Sequence, residues 1–429
     1  MLIIGAGPGG YETAVEAVKR GLEVTLITEG PLGGTCLNEG CIPTKTFCHY
    51  AELIEQNIKA GMNCRPSVVT MVEHRQAVME QLRRGVEMML KGVQVVQGRA
   101  QFKDAKTVVC NGQEFTADKI IIASGSVSAS LPVPGAESCI TSKEILELTE
   151  VPQSLCVIGG GVIGLEFASI FRSFGSEVTV LEFCPNILPR FDSDLAKRLK
   201  QSLSKRGINI EVQAQVTRID GNTVTYIKKE KEFTVQADKI LMAVGRRPNT
   251  EGLNLEAAGI DYTRKGITVN DRFETNIPGI YSVGDVTGGI MLAHVATYQG
   301  LHALNCICGL TDNIRFDLIP AAVFTMPEVA TVGLTEEQCK EQELDVRCLK
   351  SFYRANGKAV SMDETDGYCK VIVGADGAIL GAHIMGAHAS DLIHEITTAI
   401  NLGATLDQLQ SVIHAHPTLS EVLQSAIHQ

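Results

Sequence analysis

The chain has 429 residues, of which 45% are hydrophobic and 20% charged, a composition that excludes a disordered or fibrous protein and predicts two to four domains. Its 38 Lys and Arg residues against 49 Asp and Glu residues give a net charge of −11, which argues against nucleic acid or an anionic membrane as the main partner. No apolar run reaches the roughly 18 residues of a membrane span, and no basic leader precedes the first strand, so we expect neither a membrane anchor nor a signal or transit peptide.

Thirteen cysteines are spread along the chain, unlike the dense pattern of short secreted disulfide scaffolds. We therefore expect most of them to be reduced, buried thiols of a cytoplasmic protein. The question that the count leaves open is whether one pair differs from the rest.

An apolar strand at Leu2–Ile4 opens the chain and is followed by a glycine-rich turn and an alanine-rich helix predicted over residues 13–20. The glycines of this turn fit the motif G-x-G-x-x-G: Gly5, Gly7 and Gly10. The first permits the tight turn, the second lets a pyrophosphate approach the backbone, and the third lets helix and strand pack closely. A second strand, Val24–Thr28, ends at Glu29, where a carboxylate would bind an adenosine ribose. The segment predicts a dinucleotide-binding fold.

The same pattern recurs in the middle of the chain. A strand at Leu155–Ile158 precedes a second set of motif glycines: Gly159, Gly161 and Gly164. A further strand, Val178–Glu182, again closes on a carboxylate. Downstream of each copy, residues 117–125 match residues 237–245 in their charged start, apolar strand and final glycine. Two dinucleotide folds in one chain imply two nucleotide cofactors, and the usual reason is that electrons pass between them.

The second copy has the charge pattern of an NAD site. Glu182 would bind the ribose hydroxyls and repel the 2′-phosphate of NADP. Phe183 follows it where an arginine would have favoured NADP. Arg190 lies beyond a proline-containing turn, so we expect it to act away from this site. We therefore expect NAD at this site.

The first copy is longer than the second, because it contains the glycine-rich segment Gly33–Lys45 and a helix predicted over residues 68–91. Two cysteines lie in this insertion, Cys36 and Cys41. Their C-x₄-C spacing is not that of a zinc knuckle and no matching Cys or His pair lies nearby, so we expect no metal site. Two interpretations stay open: a pair of buried thiols, or a reversible disulfide beside the first nucleotide, whose exchange requires a lowered thiol pKa.

The segment Gly33–Lys45 resembles the redox-active segment of the class I FAD-dependent pyridine nucleotide–disulfide oxidoreductases. Three further segments resemble this family and follow in its order: Gly245–Thr250, Tyr281–Asp285 and His414–Glu421. The resemblance covers essentially the whole chain. It implies an α/β fold of two Rossmann-like dinucleotide-binding domains, for FAD and NAD, with a C-terminal α+β dimerisation domain. The domains we expect are FAD-binding with the redox disulfide at 1–140, NAD-binding at 141–262, a return to the FAD-binding region at 263–318 and dimerisation at 319–429.

The resemblance implies oxidation of a protein-bound dihydrolipoyl group through a Cys36–Cys41 disulfide and FAD, with hydride passing to NAD. Cys36 would exchange with the substrate, and Cys41 would face the flavin. Lys45 and Glu166 would pair near the reactive nitrogen of the flavin ring.

His416 is the candidate base among ten histidines, because Pro417 follows it and Glu421 lies five residues on. An imidazole titrates near working pH, and a carboxylate on its far nitrogen fixes the tautomer. In the family this pair enters the active site of the neighbouring subunit, so the resemblance implies a homodimer. The alternative that His414 and His416 bind a metal is disfavoured, because no further ligands lie in register.

The glycine motifs and the resemblance together predict the cofactor contacts. For FAD they are Gly5, Gly7, Gly10, Glu29, Thr35, Lys45, Ala100, Ser124, Gly125, Asp285, Met291, Leu292, Ala293 and His294. For NAD they are Gly159, Gly161, Gly164, Glu182, Val216 and Gly245.

The partner implied is a lipoylated acyltransferase of a 2-oxo acid dehydrogenase complex or the H-type carrier of a glycine cleavage complex, since we find no lipoyl domain in this sequence. Two alternatives stay open. An NADPH-dependent glutathione-type or mercuric reductase is disfavoured by Glu182, by Val162 at the position of a tyrosine gate, and by the lack of a C-terminal vicinal cysteine pair. A nucleotide-binding redox sensor or scaffold is disfavoured because it has no need of a proton relay.

Overall fold

The computed structural model of the chain describes residues 1–62 and 64–429. Within these ranges the helices are α1 (Pro8–Lys19), α2 (Gly34–Glu39), α3 (Cys41–Lys59), α4 (Val68–Met89), α5 (Val162–Phe174), α6 (Ser193–Lys205), α7 (Ala293–Ile307), α8 (Glu336–Glu341), α9 (Gly357–Ser361), α10 (Ala389–Asn401), α11 (Leu406–Gln410) and α12 (Glu421–Ile427). The strands are β1 (Leu2–Ile4), β2 (Thr25–Thr28), β3 (Gln94–Gln97), β4 (Gln101–Phe102), β5 (Thr107–Cys110), β6 (Gln113–Thr116), β7 (Ile120–Ile122), β8 (Ser126–Ser128), β9 (Ser154–Ile158), β10 (Glu177–Glu182), β11 (Ile208–Val212), β12 (Gln215–Asp220), β13 (Thr223–Lys228), β14 (Lys231–Gln236), β15 (Lys239–Met242), β16 (Arg246–Pro248), β17 (Tyr262–Thr263), β18 (Gly266–Ile267), β19 (Ile280–Ser282), β20 (Ala321–Val323), β21 (Val329–Gly333), β22 (Val346–Phe352), β23 (Tyr368–Gly374) and β24 (Ile379–Met385). No helix in the described part of the chain combines the length and apolar character needed to cross a membrane.

The first nucleotide fold is a five-stranded parallel sheet in the order β19-β7-β1-β2-β3. Its central strands are continuous apolar runs, as expected where helices cover both faces of a parallel sheet. Helix α1 begins at Pro8, five residues before the start we predicted, because Gly7 caps the helix and Pro8 occupies its first turn. The glycine turn and the helix are therefore one continuous element, and α1 packs along α7.

The second nucleotide fold repeats the first with a four-stranded parallel sheet in the order β11-β10-β9-β15. Each parallel sheet is accompanied by a three-stranded antiparallel sheet, β4-β5-β6 in the first fold and β12-β13-β14 in the second. Strands β7 and β15, which the sequence match had paired, both lie beside the first strand of their own fold. The duplication predicted from the sequence is present in the topology.

The insertion of the first fold forms α2, α3 and α4 between β2 and β3. Helix α3 carries a row of buried side chains that pack against α5 of the second fold: Phe47, Cys48, Ala51 and Ile54. One apolar core therefore spans the two nucleotide folds, and it places the first turn of α3 beside the first turn of α5. This packing positions the site described below.

The C-terminal region is a five-stranded antiparallel sheet in the order β20-β21-β24-β23-β22, with α10 and α12 against it and a core of its own. In this region the side chain of Lys370 is fully buried, and its ammonium group lies 2.7 Å from the Asp192 carboxylate of the second fold. A buried charge needs a partner in this way because desolvation is costly. The predicted fold class, two Rossmann-like folds with an α+β C-terminal domain, is confirmed.

Candidate active site

Of the three glycines in the first motif, two face backbone atoms at close range and one faces open space. Gly5 has φ +104°, and a Cβ there would overlap the carbonyl oxygen of Ala123. A Cβ at Gly10 would overlap the Gly5 carbonyl oxygen, whereas at Gly7 it would meet nothing within 4 Å. The outer glycines therefore let β1, β7 and α1 approach, and Gly7 leaves space at the helix N-terminus that suits a pyrophosphate.

The second motif reproduces this arrangement. Gly159 has φ +114° and faces the carbonyl oxygen of Ala243, and Gly164 faces the carbonyl oxygen of Gly159. Around Gly161 nothing lies within 4 Å of a built Cβ. The second fold therefore has the same open space at the N-terminus of its helix, and we call the two spaces, at Gly7 and at Gly161, the glycine cradles.

Both cradles open into one continuous cavity of about 2440 Å³, larger than the roughly 300–1,000 Å³ of a pocket for a single small ligand. The predicted site residues that line it are Gly7, Thr35, Cys36, Cys41, Lys45, Gly125, Gly159, Gly161, Glu166, Glu182, Val216, Gly245, Asp285, Met291, Leu292, Ala293 and His294. The predicted site residues outside its lining are Gly5, Gly10, Glu29, Ala100, Ser124, Gly164, His416 and Glu421. The cavity has room for two dinucleotides, and the cysteine pair lines the same cavity as the two glycine cradles.

The cysteine pair lies where two short helical segments meet. Cys36 is in α2, and Cys41 is the first residue of α3 after Gly40; both are half-buried free thiols. A hydrogen bond from Cys36 and the charge of Lys45 lower the pKa of Cys41 to about 7, although burial opposes them. The same shared proton, together with burial, raises the pKa of Cys36. The dithiol therefore holds a thiolate at Cys41 and a proton at Cys36 near neutral pH.

Lys45 and Glu166 meet across the contact between α3 and α5. The Lys45 ammonium lies 2.9 Å from both carboxylate oxygens of Glu166, whose side chain is only 6% exposed. The backbone N–H of Phe324 also donates to Glu166 at 3.0 Å, and the ring of Phe324 lies under the ammonium, 4.2 Å from Nζ to the ring centroid. Burial alone would lower the pKa of Lys45, but the Glu166 carboxylate, together with the Cys48 and Cys41 side chains, outweighs burial and raises that pKa. A fixed cation therefore stands beside the Cys41 sulfur.

At the other end of the cavity, the Glu182 carboxylate is buried and held by the backbone. It accepts hydrogen bonds of 2.6 Å from the N–H groups of Gly160 and Cys184. Phe183 lies on the same wall with 69% of its surface exposed, and Arg190, which we had placed away from this site, also lines the cavity. The remaining lone pairs of Glu182 are available to a ribose, next to an exposed aromatic face.

Arg246, which directly follows the predicted contact Gly245, was not among the predicted site residues. Its guanidinium donates to the hydroxyl and the carbonyl oxygen of Ser126, both at 2.7 Å, and the Ser126 hydroxyl donates to Asp285. Burial lowers the pKa of Arg246. Asp285 is therefore fixed by a chain that joins the two folds through the pairing of β8 with β16. The one available signal was the position of Arg246 in the segment Gly245–Thr250.

His416 and Glu421 form the predicted pair but lie apart from the cysteines. The Nδ1 atom of His416 is 2.9 Å from a Glu421 oxygen, and the Thr418 N–H donates to the other oxygen at 2.8 Å. The hydrogen bond from His416 lowers the pKa of Glu421. The peptide bond to Pro417 is cis, and the imidazole is 78% exposed. Within one chain, therefore, the structure does not bring this base to the cysteine pair.

Comparison with known proteins gives two family matches. The pyridine nucleotide-disulphide oxidoreductase family matches residues 1–300, and the dimerisation domain of that family matches residues 319–427. A dihydrolipoyl dehydrogenase of Geobacillus stearothermophilus is 41% identical over 99% of this chain and 94% of its own length. One from Bacillus subtilis (strain 168) is also 41% identical, over 99% of this chain and 95% of its own length.

Among solved structures, the HOCl-induced flavoprotein disulfide reductase RclA of Escherichia coli superposes with a TM-score of 0.90 at 32% identity, covering 100% of this chain and 99% of that one. LpdA of Mycobacterium tuberculosis also superposes with a TM-score of 0.90, at 29% identity, covering 100% of this chain and 98% of that one.

Proposed function

The chain belongs to the pyridine nucleotide-disulphide oxidoreductase family and is an oxidoreductase that uses FAD and NAD, and from this premise we propose that its substrate is a protein-bound dihydrolipoyl group. The observation that carries the proposal is the Cys36–Cys41 pair on the wall of a cavity that both glycine cradles share. A dithiol substrate needs a disulfide to receive its electrons, and a nucleotide on either side provides their exit. Relatives over nearly the full chain are named dihydrolipoyl dehydrogenase.

The thiol chemistry divides between the two cysteines. A substrate thiolate attacks the Cys36 sulfur of the disulfide, and Cys41 leaves as the thiolate that Lys45 stabilises. The second substrate thiol then attacks the substrate sulfur that is bonded to Cys36. This step closes the lipoyl disulfide and releases Cys36, which takes up a proton. One dithiol is thereby oxidised while one protein disulfide is reduced. FAD, when bound, supplies the acceptor for the two electrons of this dithiol and the donor of hydride to NAD.

The residues around the first cradle fit FAD. Gly7 leaves the open space that a pyrophosphate needs, and Asp285 is held toward the cavity by Ser126. The Lys45–Glu166 pair keeps a cation next to the thiolate without leaving a buried charge unpaired. Gly7 and Asp285 would hold the pyrophosphate and ribityl region of FAD, and the Lys45–Glu166 pair would lie at its isoalloxazine end. Glu182 at the second cradle would hold the ribose hydroxyls of NAD.

We propose that His416 acts in the active site of the other subunit of a homodimer. Three observations support this: the chain carries the dimerisation domain of the family, His416 is exposed, and its imidazole is oriented by Glu421 although it lies outside the cavity of its own chain. A histidine whose Nδ1 bonds a carboxylate presents Nε2 as a proton acceptor. That nitrogen would take the proton of the substrate thiol before its attack on Cys36.

The dimer proposal is tested by complementation. Cys41→Ser and His416→Asn homodimers should each be nearly inactive, whereas a mixed dimer recovers up to half of the wild-type rate, because one of its two sites contains both Cys41 and His416. Equal inactivity of mixed and parent dimers, with mixing verified by differently tagged chains, would overturn the assignment in trans.

We also propose that the lipoyl group arrives on a lipoylated acyltransferase or an H-type carrier protein and that the reaction takes place in the cytoplasm. Thirteen cysteines spread along a long chain, unlike the dense pattern of secreted disulfide scaffolds, suit a reducing compartment. Binding of the purified holoenzyme to isolated carrier domains, measured by turnover at limiting carrier concentration, identifies which of the two is preferred.

A second candidate, an NADPH-dependent disulfide reductase, is favoured by the close superposition with RclA, which is named a disulfide reductase. One steady-state comparison separates the two: dihydrolipoamide with NAD against glutathione disulfide with NADPH, using the same holoenzyme. We expect turnover in the first assay at least about 100-fold above the second, since a carboxylate at the ribose position repels a 2′-phosphate. The reverse ratio would reject the dihydrolipoyl substrate.

A further inference from the structure

The C-terminal end of α7 carries a histidine, His302, and a cysteine, Cys306, and the carboxylate of Asp312 from the segment after the helix lies beside the histidine. The Nδ1 atom of His302 lies 2.9 Å from a carboxylate oxygen of Asp312. Its Nε2 atom lies 3.7 Å from the Sγ atom of Cys306, one turn further along the helix. With the proton on Nδ1, facing the carboxylate, Nε2 faces the thiol as an acceptor. None of these three side chains lines the cavity that holds the catalytic cysteines.

The imidazole of His302 is held on several sides. The rings of Phe273 and Phe316 contact it edge to face, with centroid distances of 5.8 and 5.7 Å. Asp312 is itself fixed, because the side-chain amide of Asn305 donates to it at 2.7 Å. A nucleophile within reach of a base, and a base oriented by a third group, is the arrangement that activates a thiol.

Cys306 lies beside a cation and is reachable from solvent. The Arg272 guanidinium lies against this residue, donating from Nη2 to its carbonyl oxygen at 3.4 Å, and the Cys306 side chain raises the pKa of Arg272. The cysteine is half-buried, so part of its surface meets solvent. Cys308, two residues on and equally half-buried, instead packs against the apolar core around β1. The two cysteines therefore form a natural comparison between a thiol with a base and one packed in apolar surroundings.

We propose that Cys306 is a second reactive thiol of this protein, at which a small-molecule disulfide adds covalently, with His302 as its base and Asp312 as the positioning residue. Nε2 of His302 takes the thiol proton, and the Cys306 thiolate attacks one sulfur of the small disulfide. The S–S bond breaks as a mixed disulfide forms at Cys306, and the departing thiolate takes the proton back from His302. Cys306 is oxidised and half of the small disulfide is reduced to a thiol, so the exchange needs no other reactant.

The test uses the oxidised holoenzyme, in which Cys36 and Cys41 are protected as their disulfide, without NADH or any dithiol. Glutathione disulfide is added at pH 7, and the adducts are assigned by tandem mass spectrometry of the peptide that contains both Cys306 and Cys308. We expect Cys306 to react at least about tenfold faster than Cys308. Cys306→Ser should abolish the fast phase, and Cys308→Ser should leave it unchanged. Equal rates at the two cysteines, or adducts only after heat unfolding, would overturn the proposal.

Two variants separate activation from mere exposure. His302→Asn and Asp312→Asn should lower the rate at Cys306 by about tenfold and threefold, while FAD content and dihydrolipoamide turnover stay at wild-type values. If His302→Asn does not retain FAD, the pH profile of the unaltered protein decides. A base-assisted thiol reaches its plateau above the imidazole range of about 6.5, whereas an unassisted thiol keeps gaining rate through about pH 8.5. A rate that is indifferent to both variants, or that keeps rising through pH 8.5, would reject the role of His302.

Discussion

The two nucleotide-binding folds share the same glycine motif and differ in the segment that joins their second and third strands. In both, the outer motif glycines face carbonyl oxygens and the middle one faces open space. Between β2 and β3 the chain forms α2, α3 and α4, whereas between β10 and β11 it forms only α6. Nucleotide binding therefore belongs to the shared motif, and the thiol chemistry belongs to an insertion that one copy carries.

The acidic residues at the ends of the second strands differ as well. Glu182 is buried, lines the cavity and accepts two backbone hydrogen bonds, whereas Glu29 is exposed and lies outside the cavity lining. The glutamate at this position of the motif is therefore held by backbone hydrogen bonds in the second fold and exposed to solvent in the first. Four substitutions test how far this division between the copies extends.

The largest effect is expected at the insertion. Cys41→Ser removes the thiolate that leaves the disulfide, so dihydrolipoamide turnover should fall by at least about 1,000-fold. Binding of NAD, measured by the quenching of flavin fluorescence, should be unchanged because the second fold is intact. Cys64→Ser, at an exposed thiol of the same insertion, is the matched control and should keep full turnover. Appreciable turnover in Cys41→Ser would remove the insertion from the reaction.

The second substitution changes the glycine motif that the two folds share. A methyl group at position 164 would overlap the Gly159 carbonyl oxygen, so Gly164→Ala must push α5 away from β9. Overpacking of this kind costs about 1–3 kcal/mol, and we expect the KM for NAD to rise about 30-fold while FAD stays bound. Gly85→Ala, in α4 where a Cβ would meet nothing within 4 Å, should instead stabilise the protein by about 0.5–1 kcal/mol in thermal unfolding. An unchanged KM in Gly164→Ala would show that the two copies do not use the motif alike.

The third substitution compares the two carboxylates. Glu182→Gln should raise the KM for NAD about tenfold, because it weakens hydrogen bonds to a charged group that also hold the glycine turn. Glu29→Gln should change FAD retention by no more than about twofold, since the exposed carboxylate is screened by solvent. Both are measured by cofactor titration of the purified variants. Equal effects in the two copies would contradict the difference in preorganisation.

The smallest effect concerns the thiolate. The pKa of Cys41 is lowered to about 7, so the thiolate is present above pH 7 and is protonated as the pH falls below it. Lys45→Met removes the cation and leaves Glu166 beside the sulfur, so the midpoint of the Cys41 alkylation rate in the reduced enzyme should move up by about one pH unit. Lys59→Met, at the exposed end of the same helix, should leave the midpoint near 7. A downward or absent shift in Lys45→Met would mean that Lys45 does not stabilise the thiolate.

Much of the fold could be predicted from the sequence because its signals are local. The apolar strands at Leu2–Ile4 and Leu155–Ile158 and the glycines that follow them need no distant contact to be recognised. The start of α1 was predicted too late, because the glycine turn itself forms the first helical turn. Arg246 was missed because its partners Ser126 and Asp285 are distant in sequence and meet only through the pairing of two short strands.

The sequence by itself determined that this protein has two dinucleotide cradles and one distinctive cysteine pair, since each depends on residue types at fixed short spacings. The pairing of Lys45 with Glu166, 121 positions away, was expected only from the family resemblance and follows from no local pattern, because that contact requires α3 to pack on α5. The tertiary structure decided its geometry, with the ammonium 2.9 Å from both carboxylate oxygens. It also decided that the two cradles open into one cavity and that His416 faces outward, away from the cysteines of its own chain. Contacts between distant positions follow from how helices and sheets bury their apolar faces against each other, and no short motif encodes that packing.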